Sequence, residues 1–274
     1  MPKRTRVGLV QMCAAQDVKA NLETCRTLVE RAADLGAEVV FLPESFAFIG
    51  SDRELRSHVE SFASPGPILT ACVEMARQGN LHLVAGGFPE AADDGRAHNT
   101  CFHVNPLGEI VARYRKIHLF DVDLSDGTRM MESRGTSPGD SSVTTEMPFG
   151  GLGLSVCYDV RFPSLYQSLV DQGAVALAIP AAFMKSTGRA HWHVLLRARA
   201  IECQSYVIAA AQHGDHNHRG RKSFGHSLVV DPWGKIVVEC ETDQDDVVVA
   251  DLNPGEVHRI RSELPSLQNR GSWQ

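Results

Sequence analysis

Hydrophobic positions in the first third of the chain alternate between short continuous runs and helical spacing. The runs Val7–Met12, Ala37–Leu42 and Leu81–Ala85 each have the length of one buried strand. Between them, apolar residues recur every three or four positions in two stretches, Leu22–Ala32 and Ile68–Gln78. Because this spacing places apolar side chains on one helix face, the pattern predicts a strand–helix–strand–helix–strand order. Such alternation is typical of a mainly parallel sheet covered by helices.

The middle of the chain carries two further apolar segments and then a long polar stretch. Asn99–Val104 and Ile110–Tyr114 flank a turn sequence at residues 105–108, which predicts a β-hairpin. Asp121–Pro148 is rich in Asp, Ser, Thr, Gly and Pro and has no sustained period, which predicts a long loop. Loops of this length in compact domains are usually functional or disordered.

The second half of the chain repeats the order of the first. The pattern predicts strand, helix, strand, helix and strand at Gly153–Cys157, Ser164–Asp171, Val175–Pro180, His191–Gln204 and Tyr206–Ala211, then a hairpin at 227–238 and a strand at Asp246–Ala250. No linker-like break separates the halves, so we expect residues 1–274 to form one α/β domain. The similar halves suggest two sheets packed face to face with helices outside.

Composition narrows the class of protein. Hydrophobic residues make up 43% of the 274 residues and charged residues 22%, which is typical of a folded globular chain. A formal net charge of −6 argues against a general nucleic-acid binder, which needs a basic face to neutralise phosphates. We therefore expect a small-molecule partner.

We expect neither a secretion signal nor a membrane span. The apolar stretch near the start ends at Gln11, too early for a signal peptide, and the longest apolar run, Ala174–Met184, covers about half a span. The seven cysteines are scattered singly without a CxxC pair, which is typical of free thiols in a reducing compartment. The sequence therefore predicts a cytoplasmic protein.

Two charged residues stand directly after predicted strands. Glu44 follows the run that ends at Leu42, and open α/β sheets place reactive groups at such strand ends. Lys116 ends a basic run at the exit of the predicted hairpin. Taken singly, each has a plainer explanation, because most charged residues are solvated. Glu44 could cap a helix or pair with a surface lysine, and Lys116 could belong to a basic surface.

Cys157 has the most reactive setting among the seven cysteines. It lies between an apolar strand and a polar turn, and Pro163 then marks the start of a helix. A thiol near a helix N-terminus experiences a positive field, which favours the thiolate. The plainer explanation is a small buried hydrophobic residue.

Together these three residues supply what hydrolysis of an unactivated amide or nitrile requires. The thiolate of Cys157 attacks the carbonyl carbon, while Glu44 takes the thiol proton and passes it to the leaving amine. The Lys116 ammonium and a backbone N–H, that of Tyr158, stabilise the oxyanion. Water then hydrolyses the thioester with Glu44 as base. This cycle needs no metal ion and no organic cofactor.

Three sequence blocks carry a family resemblance. Phe41–Ser45, Tyr114–Leu119 and Gly153–Pro163 resemble, in order, the three signature blocks of the nitrilase, or carbon–nitrogen hydrolase, superfamily. The resemblance implies a Glu–Lys–Cys triad and an αββα sandwich of two packed mixed sheets with outer helices. It also implies assembly through helices into a homodimer or a larger homo-oligomer.

The resemblance assigns further residues to the site. It implies a second glutamate near the nucleophile, and Glu132 on the long loop occupies that place; the other explanation is an exposed loop carboxylate. Its implied role is to position Lys116 or the substrate amide. We expect Arg161 to pair with an acidic group or bind a substrate carboxylate, and Phe183 and Thr187 to line the pocket.

Within the superfamily, the segments Leu196–Glu202, Ala209–His213 and Gly225–Gly234 are more similar to the deaminated glutathione amidases than to the ω-amidases. The implied reaction cleaves the 2-oxoglutaramyl amide into 2-oxoglutarate and cysteinylglycine. Arg161 and Lys185 are candidates to bind the anionic substrate. The alternatives are an ω-amidase that acts on 2-oxoglutaramate, an N-carbamoyl amidase, a nitrilase, or a binding protein that has lost catalysis.

A histidine-rich stretch, His213–His218, raises the different possibility of a metal hydrolase. The stretch lies between two predicted strands among Gly, Asn and Arg residues and lacks a defined zinc spacing, which favours a solvated loop. A dinucleotide site is also disfavoured, because the glycines at 150–153 do not follow a strand and miss the required spacing.

Overall fold

Alternate residues of the first strands face two different cores. In the computed structural model, which describes residues 2–123, 129–218 and 220–271, Val7 and Leu9 pack into the core between two sheets. Val10 and Leu42 point the other way and pack against helices. This period of two is the expected consequence of a pleated strand that is buried on both faces.

Six α-helices and sixteen strands are formed by the described residues. The helices are α1 (Val18–Asp34), α2 (Asp52–Leu55), α3 (Pro67–Gly79), α4 (Pro163–Asp171), α5 (Lys185–Cys203) and α6 (Pro254–Glu263), and three short 3₁₀ helices span Arg56–His58, Glu132–Arg134 and Cys157–Arg161. The strands are β1 (Thr5–Gln11), β2 (Val39–Leu42), β3 (His82–Ala91), β4 (Ala97–Val104), β5 (Ile110–Arg115), β6 (Asp121–Asp123), β7 (Arg129–Met131), β8 (Val143–Met147), β9 (Gly150–Leu154), β10 (Ala174–Ala178), β11 (Tyr206–Ala209), β12 (His213–Asp215), β13 (Lys222–Phe224), β14 (Leu228–Val230), β15 (Ile236–Glu239) and β16 (Asp246–Leu252).

The strands form two six-stranded sheets of matching design. Their orders are β16-β1-β2-β3-β4-β5 and β15-β14-β11-β10-β9-β8. In each sheet three consecutive parallel strands are flanked by antiparallel ones. Helices α1 and α3 cover the first sheet, and α4 and α5 cover the second. This mixed α/β sandwich confirms the fold that the sequence predicted.

The two sheets approach closely beside the ends of their central strands. Gly86 of β3 faces Pro180, which follows β10, and a Cβ added to Gly86 would lie 2.1 Å from the Pro180 Cβ. Because a contact below 3.0 Å is not tolerated between real side chains, only glycine fits there. Glycine at position 86 therefore allows the two sheets to approach this closely.

The structure corrects several expected boundaries. The expected loop at 121–148 contains the edge strand β8 and the small β6–β7 ribbon, while its residues 124–128 lie outside the described residues. Helix α5 begins at Lys185 rather than His191. Helix α6 was not predicted, although Asn253 caps its N-terminus and Pro254 occupies its first turn. None of the described helices is long and apolar enough to cross a membrane.

Candidate active site

Both sheets contribute to one large cavity of about 1070 Å³. Glu44 enters it from the end of β2, Lys116 from the end of β5, and Cys157 from the turn that follows β9. The first two side chains are almost completely buried, with 5% of Glu44 and 2% of Lys116 exposed. The three candidate residues, far apart in sequence, are therefore brought together at one point.

Glu44 connects the other two candidates. Its Oε1 accepts a hydrogen bond of 3.0 Å from the Lys116 ammonium, and its negative charge, after burial, raises the pKa of the neighbouring Cys157 thiol. Its second oxygen accepts a 2.9 Å hydrogen bond from the backbone N–H of Ala182. The carboxylate is therefore held in a fixed orientation beside the thiol, as a general base must be.

Glu132 lies on the other side of the same lysine. Its Oε2 is 2.9 Å from Lys116 Nζ and accepts a 2.6 Å hydrogen bond from the backbone N–H of Phe120. The carboxylate is thus part of the buried charge cluster and not an exposed loop residue; its side chain is only 18% exposed.

Asn99 of β4 completes this cluster, and sequence reasoning did not find it. Its side-chain nitrogen donates to Glu44 Oε1 at 2.9 Å and to Glu132 Oε1 at 3.0 Å. The reversed amide would place an oxygen against both carboxylates, so the network fixes the orientation. Nothing in the spacing of the hairpin distinguishes Asn99 from a solvated strand residue, because its role depends on two distant glutamates.

The charges around Glu44 determine its ionisation. Burial by itself would raise the pKa of this carboxyl, but the Lys116 charge, the Cys157 thiol and the Ala182 N–H outweigh burial and lower it below 4.5. Burial would similarly lower the pKa of Lys116, yet the charges of Glu132 and Glu44 raise it well above 10.5. Carboxylate and ammonium therefore both persist at neutral pH.

Cys157 is a thiol at rest, which corrects the expected thiolate. Burial first, and the neighbouring Glu44 charge second, raise its pKa well above 9.0, and Lys116 only partly opposes them. The residue has a positive φ of 47° and opens a short 3₁₀ turn, while α4 begins only at Pro163. The structure thus supplies a base for the thiol in place of a helix field.

Asp159 anchors the turn that carries Cys157. Its completely buried carboxylate accepts hydrogen bonds from the Tyr114 hydroxyl at 2.8 Å, the Val156 N–H at 2.8 Å, and both the N–H and the ring of His118. These bonds tie the β5 segment to the nucleophile turn. This role was not predicted from the sequence, because Tyr114 and His118 lie 45 and 41 residues from Asp159 along the chain.

The remaining predicted residues also line the cavity. Tyr158 follows Cys157, and the Arg161 guanidinium lies 5.8 Å from the centre of the Tyr158 ring and 5.2 Å from the centre of the Phe183 ring. Thr187 lies in the first turn of α5 and donates a hydrogen bond to the Met184 carbonyl. Both distances are within the range of cation–π contact, so the two rings help to hold the guanidinium at the cavity wall.

Positive charge dominates the cavity although the chain as a whole is negative. The charged residues among its described lining are Arg56, Arg96, Lys116, Arg129, Arg134, Arg161, Lys185, Arg221 and Lys222 on the cationic side, and Glu44 and Glu132 on the anionic side. Such a cleft concentrates anionic ligands near the buried site.

Two of the three histidines in the histidine-rich stretch, His213 and His216, are buried, which corrects the expectation of a fully solvated loop. His213 Nε2 lies 2.7 Å from Asp245, and His216 lies 2.8 Å from both the Ala14 carbonyl and the Ser223 hydroxyl. Burial lowers the pKa of His216 to about 4, so it is a neutral hydrogen-bonding group. Within the described residues, these histidines form no metal-binding group with other side chains.

Comparisons with known proteins agree on one family. The sequence profile of the family described as Carbon-nitrogen hydrolase matches residues 6–262. Deaminated glutathione amidases of Dictyostelium discoideum and Homo sapiens are 41% and 43% identical, over 98% and 96% of this chain and 95% and 81% of their own lengths. The crystal structure of the Caenorhabditis elegans NitFhit protein superposes with a TM-score of 0.92 at 38% identity, over 98% of this chain and 66% of that longer chain. The chain belongs to the carbon–nitrogen hydrolase family of the nitrilase superfamily.

Proposed function

We propose that this carbon–nitrogen hydrolase cleaves deaminated glutathione with Cys157 as nucleophile, Glu44 as general base and acid, and Lys116 as oxyanion stabiliser. The observation that carries the proposal is the Glu44 carboxylate, which accepts a hydrogen bond from the Lys116 ammonium and lies beside Cys157 in the same cavity. The names of the relatives support the choice of substrate.

The first half of the reaction forms a thioester. Glu44 takes the thiol proton as the Cys157 sulfur attacks the amide carbonyl, and the resulting oxyanion faces the Lys116 ammonium and the backbone N–H of Tyr158. The protonated Glu44 then gives its proton to the amide nitrogen. The C–N bond breaks, cysteinylglycine leaves as the amine, and the 2-oxoglutaryl group stays on sulfur.

The second half restores the enzyme. Glu44, again a carboxylate, removes a proton from a water that attacks the thioester carbonyl. The C–S bond breaks, 2-oxoglutarate leaves, and the proton returns to the sulfur. Glu132 and Asn99 hold Lys116 and Glu44 in place through both halves.

The charge of the cavity fits this substrate. Deaminated glutathione carries a carboxylate at its 2-oxo acid end and another at its glycine end, on either side of the amide that is cut. Cationic side chains line the cavity around the buried triad. We propose Arg161, held between two aromatic rings, and Lys185 of α5 as contacts for substrate carboxylates.

One set of kinetic measurements tests the substrate. The kcat/KM values for deaminated glutathione, 2-oxoglutaramate, a simple nitrile and an N-carbamoyl amino acid are compared on the wild-type chain. We expect deaminated glutathione to exceed the others by more than about tenfold, which is about 1.4 kcal/mol of transition-state preference. A larger value for 2-oxoglutaramate would make the enzyme an ω-amidase and leave the chemistry unchanged.

Substitution of the nucleophile tests the chemistry. Cys157→Ala is expected to abolish hydrolysis of all four substrates while the folded state persists, because the thiol makes the only covalent bond to the acyl group. Cys13→Ala is the matched control, since Cys13 is the other partly exposed cysteine and lies outside the cavity lining. Full turnover by the Cys157→Ala chain would contradict the proposed nucleophile.

We also propose that the chain forms a homodimer through the face made by α5 and the β14–β15 hairpin. Val194 and Ile201 of α5 are 68% and 49% exposed, and Trp233 in the hairpin turn is 61% exposed. A Cβ on Gly234 would lie 2.6 Å from Ile201, so helix and turn form one continuous surface. Exposed apolar patches of this kind often mark protein interfaces. Trp233→Asp is expected to yield monomers in sedimentation experiments.

A reducing, cytoplasmic location completes the proposal. All seven cysteines are free thiols. An oxidising compartment usually selects for paired cysteines in proteins that carry this many. Fractionation of cells that express the full chain tests the location.

A further inference from the structure

A group of side chains suited to a metal ion lies outside the cavity, where α5 meets the β14–β15 hairpin. His193 projects from α5, His226 precedes β14, and Glu239 ends β15. The ligand atoms of the three residues lie within 4.8 Å of one another. None of the three lines the active-site cavity. The hydrolytic mechanism therefore does not explain this group.

The carboxylate already brings both imidazoles to one point. Glu239 Oε1 lies 2.8 Å from His193 Nε2 and 2.6 Å from His226 Nδ1. Bonds of roughly 2.0–2.2 Å from zinc to nitrogen and oxygen place the ligands of a tetrahedral ion about 3.3 Å apart. Side-chain rotations that widen each contact by roughly half an ångström would therefore admit an ion.

Neighbouring aromatic residues hold the two imidazoles in place. His226 stacks on Phe224 at a centroid distance of 4.3 Å. The Phe224 ring also contacts His193 edge-on, at a centroid distance of 5.9 Å. Trp192 Nε1 donates a 2.9 Å hydrogen bond to the His226 carbonyl. His226 has a positive φ of 60°, which is unfavourable for a residue with a side chain and persists only where surrounding contacts impose it.

We propose that His193, His226 and Glu239 bind one divalent transition-metal ion such as Zn²⁺, Co²⁺ or Ni²⁺. Two imidazole nitrogens and one carboxylate oxygen suit these ions. In the single chain, before any second copy covers the proposed dimer face, the three side chains are 33%, 30% and 17% exposed, which leaves part of the coordination sphere open to water. The ion takes no part in hydrolysis. It joins α5, whose first turn lines the active-site cavity, to the β14–β15 hairpin.

Titration of the full-length chain with Co²⁺ tests the site. Cobalt bound by nitrogen and oxygen ligands gives visible d–d bands, whereas binding to a thiolate adds a strong near-ultraviolet band, so Cys157 is distinguished from the proposed ligands. We expect one equivalent to bind without the thiolate band. Glu239→Gln and His193→Gln are expected to weaken binding by at least about tenfold. His258→Gln, a change at an exposed histidine of α6, is expected to bind as the wild type does.

A second measurement guards against misfolded variants. His226→Asn keeps a residue type that tolerates positive φ and removes one ligand. Saturating Co²⁺ is expected to raise the Tm of the wild type and of His258→Gln by about 5 °C, and that of the three ligand variants by less than about 1 °C. Wild-type binding with a thiolate band, no stoichiometric binding, or equal affinity in Glu239→Gln and wild type would each overturn the proposal.

Discussion

The Tyr114 hydroxyl donates a 2.8 Å hydrogen bond to the buried carboxylate of Asp159. Tyr114 lies two residues before Lys116, and Asp159 lies two residues after Cys157. This bond, together with those that His118 makes to the same carboxylate, joins the segment of the first sheet that carries Lys116 to the turn of the second sheet that carries Cys157. Relative placement of the two candidate catalytic groups depends on this contact.

Tyr114→Phe is expected to lower kcat more than it raises KM. The hydroxyl also accepts a hydrogen bond from the Ile117 N–H, so its loss leaves two buried partners less well satisfied and costs about 1–3 kcal/mol of unfolding free energy. Tyr206→Phe is the control, because its hydroxyl also bonds the backbone, at Asn253, but lies outside the cavity lining. Equal kcat values for both variants would show that the Tyr114 bond is only structural. Steady-state kinetics and urea unfolding provide the data.

Asn99→Asp is expected to move the acid limb of the kcat/KM profile to higher pH. The new carboxyl would lie within hydrogen-bond distance of both Glu44 and Glu132, and like charges raise the pKa of each other's acids. Asn99→Leu removes both hydrogen bonds without adding charge, so it is expected to lower kcat without that shift. Asn269→Asp, an exposed change near the C-terminus, should leave the profile in place. An unshifted profile in Asn99→Asp would rule out a positioning role.

Glu44→Gln is expected to abolish hydrolysis and yet speed the alkylation of Cys157 by iodoacetamide at neutral pH. The negative charge of Glu44 raises the pKa of the thiol, so its removal lowers that pKa and populates the reactive thiolate. Lys116→Met is expected to have the opposite effect. The Lys116 ammonium lowers the pKa of the Cys157 thiol, so its removal raises that pKa and slows alkylation. Mass spectrometry of the labelled peptide separates Cys157 from Cys13. An unchanged alkylation rate in Glu44→Gln would mean that Glu44 does not control the thiol, and a slower rate would mean that it acts on the resting thiol mainly as a base.

The wild-type pH profile follows from the same two groups. Catalysis needs Glu44 ionised and Cys157 protonated, and the pKa of Glu44 is below 4.5 while that of Cys157 is well above 9.0. Activity should therefore rise as pH increases through the lowered Glu44 pKa, stay level across neutrality, and fall only at alkaline pH. A bell-shaped kcat/KM curve with limbs near pH 6 and 8, the order of histidine and free thiol pKa values, would contradict the assignment.

Gly87→Ala is expected to reduce kcat by at least about a hundredfold, the range seen when a catalytic group is displaced by an ångström. A Cβ there would lie 2.8 Å from Glu44 Cγ and 2.7 Å from Asn99 Oδ1. Gly87 also has a φ of 61°, so the substitution adds backbone strain. Gly173→Ala carries the same type of strain, at φ 96°, with nothing within 4 Å of the new atom. It should lose stability and keep its kcat, which kinetics and thermal unfolding can establish.

Local pattern was sufficient for most of the fold. The apolar spacing that predicted α1, α3 and α4, and the turn that predicted the β4–β5 hairpin, depends on neighbours in sequence, and these elements are present. The edge strand β8 was read as loop because its residues Val143–Met147 are mostly polar and only partly buried. Its strand conformation comes from pairing with β9, a tertiary contact that periodicity does not record.

The residues of the candidate site likewise divide into those that the sequence predicted and those that only the structure shows. Glu44, Lys116 and Cys157 stand at strand ends, where both topology and family resemblance direct attention, and all three meet in the cavity. Asn99 and Asp159 carry no such mark. Asn99 acts through partners 33 and 55 residues away, and Asp159 links the two sheets through partners 41 and 45 residues away. The raised pKa of the Cys157 thiol was missed for a similar reason, because it depends on burial and on a carboxylate from the other sheet.

Because Gly86 and Pro180 are in contact, the catalytic rate should depend on the distance between the two sheets at this point. The proposed base, Glu44, comes from one sheet and the proposed nucleophile, Cys157, from the other, so a change in the distance between the sheets would separate these two groups before it unfolds either sheet. A larger side chain at Gly86 would push the two sheets apart and move Glu44 away from the Cys157 sulfur, while the strands within each sheet stay paired. The alignment of Glu44 with Cys157 depends on the contact between the two sheets. Substitutions in one half of the chain alone therefore cannot optimise the site.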